Sequence, residues 1–278
     1  KSERIQEGEE HMKISVFYDH ILQAAEQTGK EIPFLLREVK DAGIDAVEIN
    51  MTYLNEHEDT YKMLRDAQLD VSCVYEFYEM DSKDETKRAQ CHVDTAKKAG
   101  AGKILVVPGF FSEETKDYVA CIQDYEKTAA FLSHNEKALR MSKGIADIVA
   151  MAKKQGIQVV IEDFDNINSP IACVNGMKWF MEQIPELWIT FDTGNFIIHK
   201  EDIFTAWEAL KERVIHVHCK DRGAESVAVG DGYIPMKEIL GRIVESGYEG
   251  YFAIEHFDAA DQEKCMQRSA AFLRDNFQ

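Results

Sequence analysis

The residues of this chain best suited to chemistry are carboxylates and imidazoles that stand at the ends of apolar runs. The runs are VVIEDF (159–164), WITFDTGN (188–195), VIHVHCKD (214–221) and FAIEHF (252–257). They supply Glu162 and Asp163, then Asp192, then His216 and His218, then Glu255 and His256. A carboxylate in such a setting is costly to bury unless it is paired or coordinated. Four such ends in succession point to one shared site. Three carboxylates and one imidazole form a hard, oxygen-rich donor set for one divalent metal ion, Mn2+ first, with Mg2+, Co2+ or Zn2+ also compatible. The competing reading is an ion-pair network in the same place without a metal.

Side-chain alternation along a strand chooses among neighbours. His216 and His218 share a face. His218 lies nearer the strand end and is assigned as a ligand, while His216 sits one layer deeper as a hydrogen-bonded histidine beside the site. Glu162 and Glu255 suit the inward face, which turns Asp163 and His256 toward helices or loops. The expected metal ligands are therefore Glu162, Asp192, His218 and Glu255. Lys220 shares the direction of His218 and is a candidate to hold a hydroxyl, carboxylate or phosphate of a substrate, against the plainer reading of a surface lysine. Glu48, at the end of an earlier run, either orients a ligand histidine, touches substrate or pairs with a core cation. Asn195, His216 and Arg222 complete the candidate substrate contacts, and Asp221 suits an orienting role. His20, Tyr53, His57, Glu76, Phe110 and Phe111 fall in early strand-end loops, where they either line a pocket or simply pack.

These positions need a scaffold that brings many strand ends together. The chain alternates short β-rich runs with longer amphipathic segments, the pattern of a parallel α/β fold. Strands are expected near 13–18, 46–50, 71–77, 103–109, 159–164, 188–195, 214–221 and 252–257. Several are continuous apolar runs, as strands covered on both faces require. Helical segments include 32–43, 86–101 and 141–156, which end at or near Gly43, Gly100 and Gly156. The long connection from Phe110 to Lys143 is expected to carry an extra helical turn or lid. Eight β–α units fit a closed (β/α)8 barrel in one domain better than an open sheet. No GxGxxG loop follows the first strand, and Gly230 and Gly232 follow the seventh, so a dinucleotide site is not indicated.

A length of 278 residues suits such a barrel, and 45% hydrophobic with 29% charged residues can supply its core. The formal net charge of −18 disfavours a nucleic-acid partner. The six cysteines show no CxxC spacing and read as reduced side chains. No run is apolar enough for a membrane or a signal peptide, so a cytoplasmic protein is expected. Residues 1–11 are polar and aperiodic and read as an N-terminal extension or a remnant of expression, with the barrel spanning 12–278.

The ordered motifs IEDF (161–164), FDTGN (191–195), HVHCKD (216–221) and IEHF (254–257) resemble the xylose isomerase-like TIM-barrel superfamily of sugar phosphate isomerases and epimerases. The resemblance runs from about Met12 to the C-terminus. It implies that Glu162, Asp192, His218 and Glu255 coordinate one divalent metal, and that Glu162 and Glu255 also form the acid/base pair of its ketose epimerases. It also implies a small sugar or polyol as the partner, and dimers or tetramers as the common homo-oligomer. The chain departs from the related AP endonucleases, which carry further histidines where this chain has Tyr75, Glu76 and Asn195. It departs from the ketose 3-epimerases too, with Asn166 and Asn168 in place of Arg and Glu, and Asn195 in place of His.

A metal set against adjacent carbonyl and hydroxyl oxygens acidifies the C–H between them and stabilises an enediolate. Two flanking carboxylates can then remove and return a proton. The expected function is a divalent-metal-dependent isomerase or epimerase of a sugar or sugar phosphate. Expulsion of a β-hydroxyl from the same intermediate would instead make a dehydratase, a lyase acting on a cyclic keto-polyol. A third reading is a non-catalytic barrel that binds a sugar or supports a partner subunit.

Overall fold

In the computed structural model, which describes residues 12–277, eight parallel strands close into a barrel in sequence order. They are β1 (Lys13–Phe17), β2 (Ala46–Asn50), β3 (Asp70–Phe77), β4 (Lys103–Val107), β5 (Gln158–Glu162), β6 (Trp188–Asp192), β7 (Val214–Lys220) and β8 (Tyr251–Glu255). All eight expected strands are present, and helices cover the outside of the barrel. The polar extension at 1–11 lies outside the described residues. All six cysteines are free.

The strands place their apolar residues on two sides. Ile14, Val47, Val74, Ile104, Ile161, Phe191, Val217 and Ile254 belong to the large core between sheet and helices. Phe17, Cys73, Tyr75, Leu105, Val107 and Val160 form a separate cluster inside the barrel. Each strand is thus buried on both faces, which explains why the runs read as continuously apolar.

Register does the positioning. Asp192 pairs with His218 across β6 and β7, and Lys220 pairs with Glu255 across β7 and β8. Because inward side chains alternate, these pairs converge at the carboxyl-terminal mouth.

The helices end as their glycines suggest. Gly100 closes the helix Thr86–Ala99 with φ 74, and Gly156 adopts φ 72 just before β5, a conformation that glycine takes without a Cβ clash. The connection after β4 holds more than the expected extra turn. Two helices, Thr115–Val119 and Tyr125–His134, precede a main helix that begins at Glu136 rather than near 141. The earlier start has a local cause, since the Asn135 side chain accepts from the Ala138 backbone N–H and caps the helix. Ala138, Met141, Ile145, Ile148, Val149 and Ala152 then bury one stripe at helical spacing. β6 stops at Asp192 rather than continuing to 195, because the Asp192 carboxylate accepts from the N–H groups of Gly194 (2.6 Å) and Asn195 (2.9 Å) and turns the chain.

The segment after β5 is pinned by a close approach. Tyr118 Oη donates to Pro170 O at 2.7 Å, and a Cβ on Gly176 would fall 2.0 Å from that carbonyl and 2.4 Å from the Tyr118 hydroxyl. Gly176→Ala is expected to destabilise the fold by at least about 1–3 kcal/mol through overpacking, seen as a melting temperature lower by roughly 4 °C or more. An unchanged melting curve would show that this contact yields freely.

Candidate active site

The mouth of the barrel encloses a cavity of about 600 Å³. At its floor, ligand-capable atoms of Glu162, Asp192, His218 and Glu255 all lie within 4.8 Å of one another, and all four residues are buried. The structure therefore brings together the four residues that the strand ends pointed to.

His218 is the hub. It donates from Nδ1 to Glu162 Oε1 at 2.8 Å and from Nε2 to Glu48 Oε2 at 3.0 Å, with Glu255 Oε2 3.2 Å from Nδ1. Burial opposes charge on this imidazole, but the carboxylates of Glu162 and Glu48 more than offset that and push its pKa well up. Glu48 Oε2 also accepts from His216 Nε2 at 2.8 Å. Among the roles open to Glu48, the one seen is the orientation of two histidines. His216 lies behind Glu48 and does not line the cavity, and burial lowers its pKa to about 4. Glu48, Cys73 and His216 form a second close group one layer deeper.

The carboxylates differ in their surroundings. Burial raises Glu162 and pushes Asp192 well up. Burial would raise Glu255 as well, but the Lys220 ammonium and His218 overcome it and hold this group below the usual carboxylate range. Lys220 Nζ pairs with Glu255 Oε1 and stands 3.9 Å from Asp192 Oδ2 and 4.0 Å from Asp165 Oδ2. It is a mostly buried cation inside the site, not a surface lysine. Asp192 Oδ1 is engaged by its own turn, while its buried Oδ2 has no hydrogen-bond partner. An orphaned carboxylate oxygen facing two other carboxylates and an imidazole fits a cation-binding set.

The remaining candidates divide. Asn195 lines the cavity, yet its Nδ2 donates to Asp163 O at 2.8 Å and its Oδ1 accepts from Arg222 Nη2 at 3.0 Å, so both ends of the amide are engaged. Arg222 lines the cavity and also donates from Nε to Gly194 O. Asp163 turns outward as expected, accepting from the Asp192 N–H at 2.9 Å. His256 lies at the cavity edge but stacks on His20 with ring centroids 4.4 Å apart, and donates from Nδ1 to Gln262. None of His20, Tyr53, His57, Glu76, Phe110 and Phe111 lines the cavity. Glu76 accepts from Thr52 at 2.6 Å, His57 packs on Tyr53, and Phe111 packs on Tyr118. The cavity walls that sequence reasoning missed are Phe17, Tyr75, Phe77, Phe164, Tyr233 and Phe257. Period-2 inward parity with Cys73 would have found Tyr75 and Phe77; the others carry no signal apart from ordinary core residues.

Loop 221–236 forms one side of the mouth, and Asp221 organises it. Its carboxylate accepts from the backbone N–H groups of Arg222 (2.7 Å), Gly230 (2.9 Å), Gly232 (2.9 Å) and Ile234 (3.1 Å). Charge-assisted bonds of this kind contribute about 1.5–3 kcal/mol each. Asp221→Ala is expected to raise amide hydrogen exchange across 222–234 by at least about tenfold, leaving exchange in β4 and β5 unchanged. Equal exchange in the two proteins would show that the loop holds itself by other means.

A family model described as a xylose isomerase-like TIM barrel matches residues 36–276. An inosose dehydratase of Clostridium perfringens (strain 13 / Type A) is 24% identical over 255 residues, spanning 82% of this chain and 83% of its own. The crystal structure of 3-keto-D-glucoside 4-epimerase from E. coli aligns with a TM-score of 0.70 at 19% identity, over 95% of this chain and 100% of that one. D-psicose 3-epimerase with D-tagatose, from Clostridium cellulolyticum H10, aligns with a TM-score of 0.71 at 15% identity, over 96% and 100% of the two chains. At these identities the two solved structures speak to the fold. No helix among the described residues is long and apolar enough to cross a membrane. With the family model covering nearly all of the barrel, the chain belongs to the xylose isomerase-like TIM-barrel family.

Proposed function

We propose that this protein is a metal-dependent sugar isomerase or epimerase that moves a carbon-bound proton between Glu162 and Glu255. The observation that carries the reading is the buried group of Glu162, Asp192, His218 and Glu255, with the unpartnered Asp192 Oδ2 facing into it. These four residues would hold one divalent metal, and an oxygen-rich set with one imidazole suits Mn2+ or Mg2+, with Co2+ or Zn2+ also compatible. When bound, the metal supplies Lewis-acid polarisation of a carbonyl and its neighbouring hydroxyl.

The chain's own groups do the rest. Glu48 holds the proton on His218 Nε2, so that Nδ1, which donates to Glu162 here, would be the atom to give up its proton and serve as a ligand. Glu162 and Glu255 approach His218 from β5 and β8, so a substrate bound between them has a carboxylate to take its proton and another to return one. Lys220, held against Glu255, is placed to donate to a substrate oxygen as charge develops on it. Burial of the four residues strengthens each of these interactions.

A second reading is dehydration of a cyclic keto-polyol by the same residues. The relative named inosose dehydratase favours it, since it aligns over 82% of the chain. Asn166 and Asn168 are consistent with either reaction, because neither lines the cavity.

Incubation with keto-sugars in D2O is expected to show deuterium uptake at a carbon-bound position, lost on chelation and restored by Mn2+. Glu255→Gln should lower the exchange rate by about 10²–10⁴-fold. Exchange that survives chelation and the substitution would overturn the proposal, and an ultraviolet-absorbing enone product in place of an epimer would select the second reading.

A further inference from the structure

One face of the cavity is built for something other than hydroxyls. Phe17 packs edge-on against His218 with ring centroids 5.0 Å apart, directly beside the proposed reacting centre. From there a row of rings runs outward. Phe17 meets Phe257 at 5.2 Å and Tyr75 at 5.7 Å, Tyr75 meets Phe77 at 6.2 Å, and Phe77 meets Phe164 at 6.0 Å. Tyr75 is held in place by a 2.8 Å hydrogen bond from its hydroxyl to Asp19. The row ends in solvent, where Phe77 is 44% exposed, and Tyr233 from loop 221–236 lines the mouth at 60% exposure. These rings come from four separate strand ends and converge on one cavity, which is not the scattered exposure of single apolar residues that any surface shows.

The charges of the same cavity oppose an anionic ligand. Seven carboxylates line it, against one lysine and one arginine. Lys220 is already bound to Glu255, and Arg222 to Gly194 O and Asn195 Oδ1. A divalent ion at the proposed ligands would leave their three carboxylates with a net negative charge. A phosphate would therefore meet rim carboxylates at Asp165, Glu225 and Asp258, with Arg222, which already donates to two neutral oxygens, as the one lining cation not paired with a carboxylate. The volume of about 600 Å³ also falls within the range that encloses drug-sized ligands, about 300–1,000 Å³, and leaves room beyond one sugar ring.

We propose that the substrate is an uncharged keto-sugar or keto-polyol bearing an apolar, aromatic-sized substituent, with the sugar ring at His218 and the substituent lying along Tyr75, Phe77 and Phe164 toward the mouth. This rests on the sugar reading above and narrows it; were the substituent at the anomeric carbon, the reactive carbonyl would have to lie elsewhere on the ring, the arrangement that the probes below represent.

The test is equilibrium binding to the Mn2+-loaded protein by calorimetry, which needs no turnover. The probes are the methyl and phenyl β-D-glucosides, their 3-keto forms, and D-glucose 6-phosphate. The phenyl compounds are expected to bind about tenfold more tightly than the methyl ones, the gain typical of one aromatic contact, with the phosphate weakest of all. Phe77→Ala and, independently, Tyr233→Ala should each bring the phenyl-to-methyl ratio toward 1. Tightest binding of the phosphate, a ratio of 1 in the unaltered protein, or a ratio untouched by both substitutions would overturn the inference. Deuterium exchange on the same 3-keto compounds reports separately on the reaction. Exchange without a phenyl preference defeats only this inference, and a phenyl preference without exchange defeats only the proposed chemistry.

Discussion

Everything at the mouth of this barrel is conditioned by the crowding of buried carboxylates around one imidazole. Glu48, Glu162, Asp192 and Glu255 are all buried, and ligand-capable oxygens of the last three lie within 4.8 Å of one another. At an effective dielectric of about 20, two such charges at this separation repel by roughly 3 kcal/mol, and each also loses hydration. The positive charge that faces them is that of His218 and Lys220, and burial still pushes Glu162 and Asp192 toward the protonated form. Strongly perturbed buried carboxylates of this kind cluster at functional sites. A divalent cation, as proposed, would turn the mutual repulsion of the three carboxylates into attraction toward a shared centre.

The scaffold answers that constraint in detail. The register of β6 against β7 and of β7 against β8 sets Asp192 beside His218 and Lys220 beside Glu255. The turn after β6 lets backbone N–H groups take one oxygen of Asp192 and leaves the other for the centre. Gly194 makes this turn fit, because a Cβ there would stand 2.7 Å from Lys220 O. Glu48, from the opposite side of the barrel, holds His218 from below. The polar floor is thus determined by strands, and the loops above it, such as 221–236, are free to shape what enters.

Much of this was legible in the sequence, for a physical reason. Strands buried on both faces read as apolar runs, so Glu162, Asp192, His218 and Glu255 stood out as polar groups where burial is expensive. Nearness to the strand end separated His218 from His216, and strand alternation separated Glu162 from Asp163. For His20 and Glu76 a position near a strand end left a packing role open, and that is the role seen, with bonds away from the barrel axis to the His256 backbone and to Thr52. Asn195 does line the cavity, with its amide also bonded to Asp163 and Arg222. The aromatic row was invisible because Phe17, Phe164 and Phe257 look like core residues until the barrel closes and sets them side by side.

The central claim is that Glu162, Asp192, His218 and Glu255 hold a single divalent ion, and direct metal binding tests it without reference to any substrate. Chelator-stripped protein titrated with Mn2+, with free ion followed by electron paramagnetic resonance, is expected to bind one ion per chain. Asp192→Asn should abolish that binding while leaving the melting behaviour of the stripped protein intact. No binding in the unaltered chain, a stoichiometry above one, or full binding by Asp192→Asn would contradict the claim.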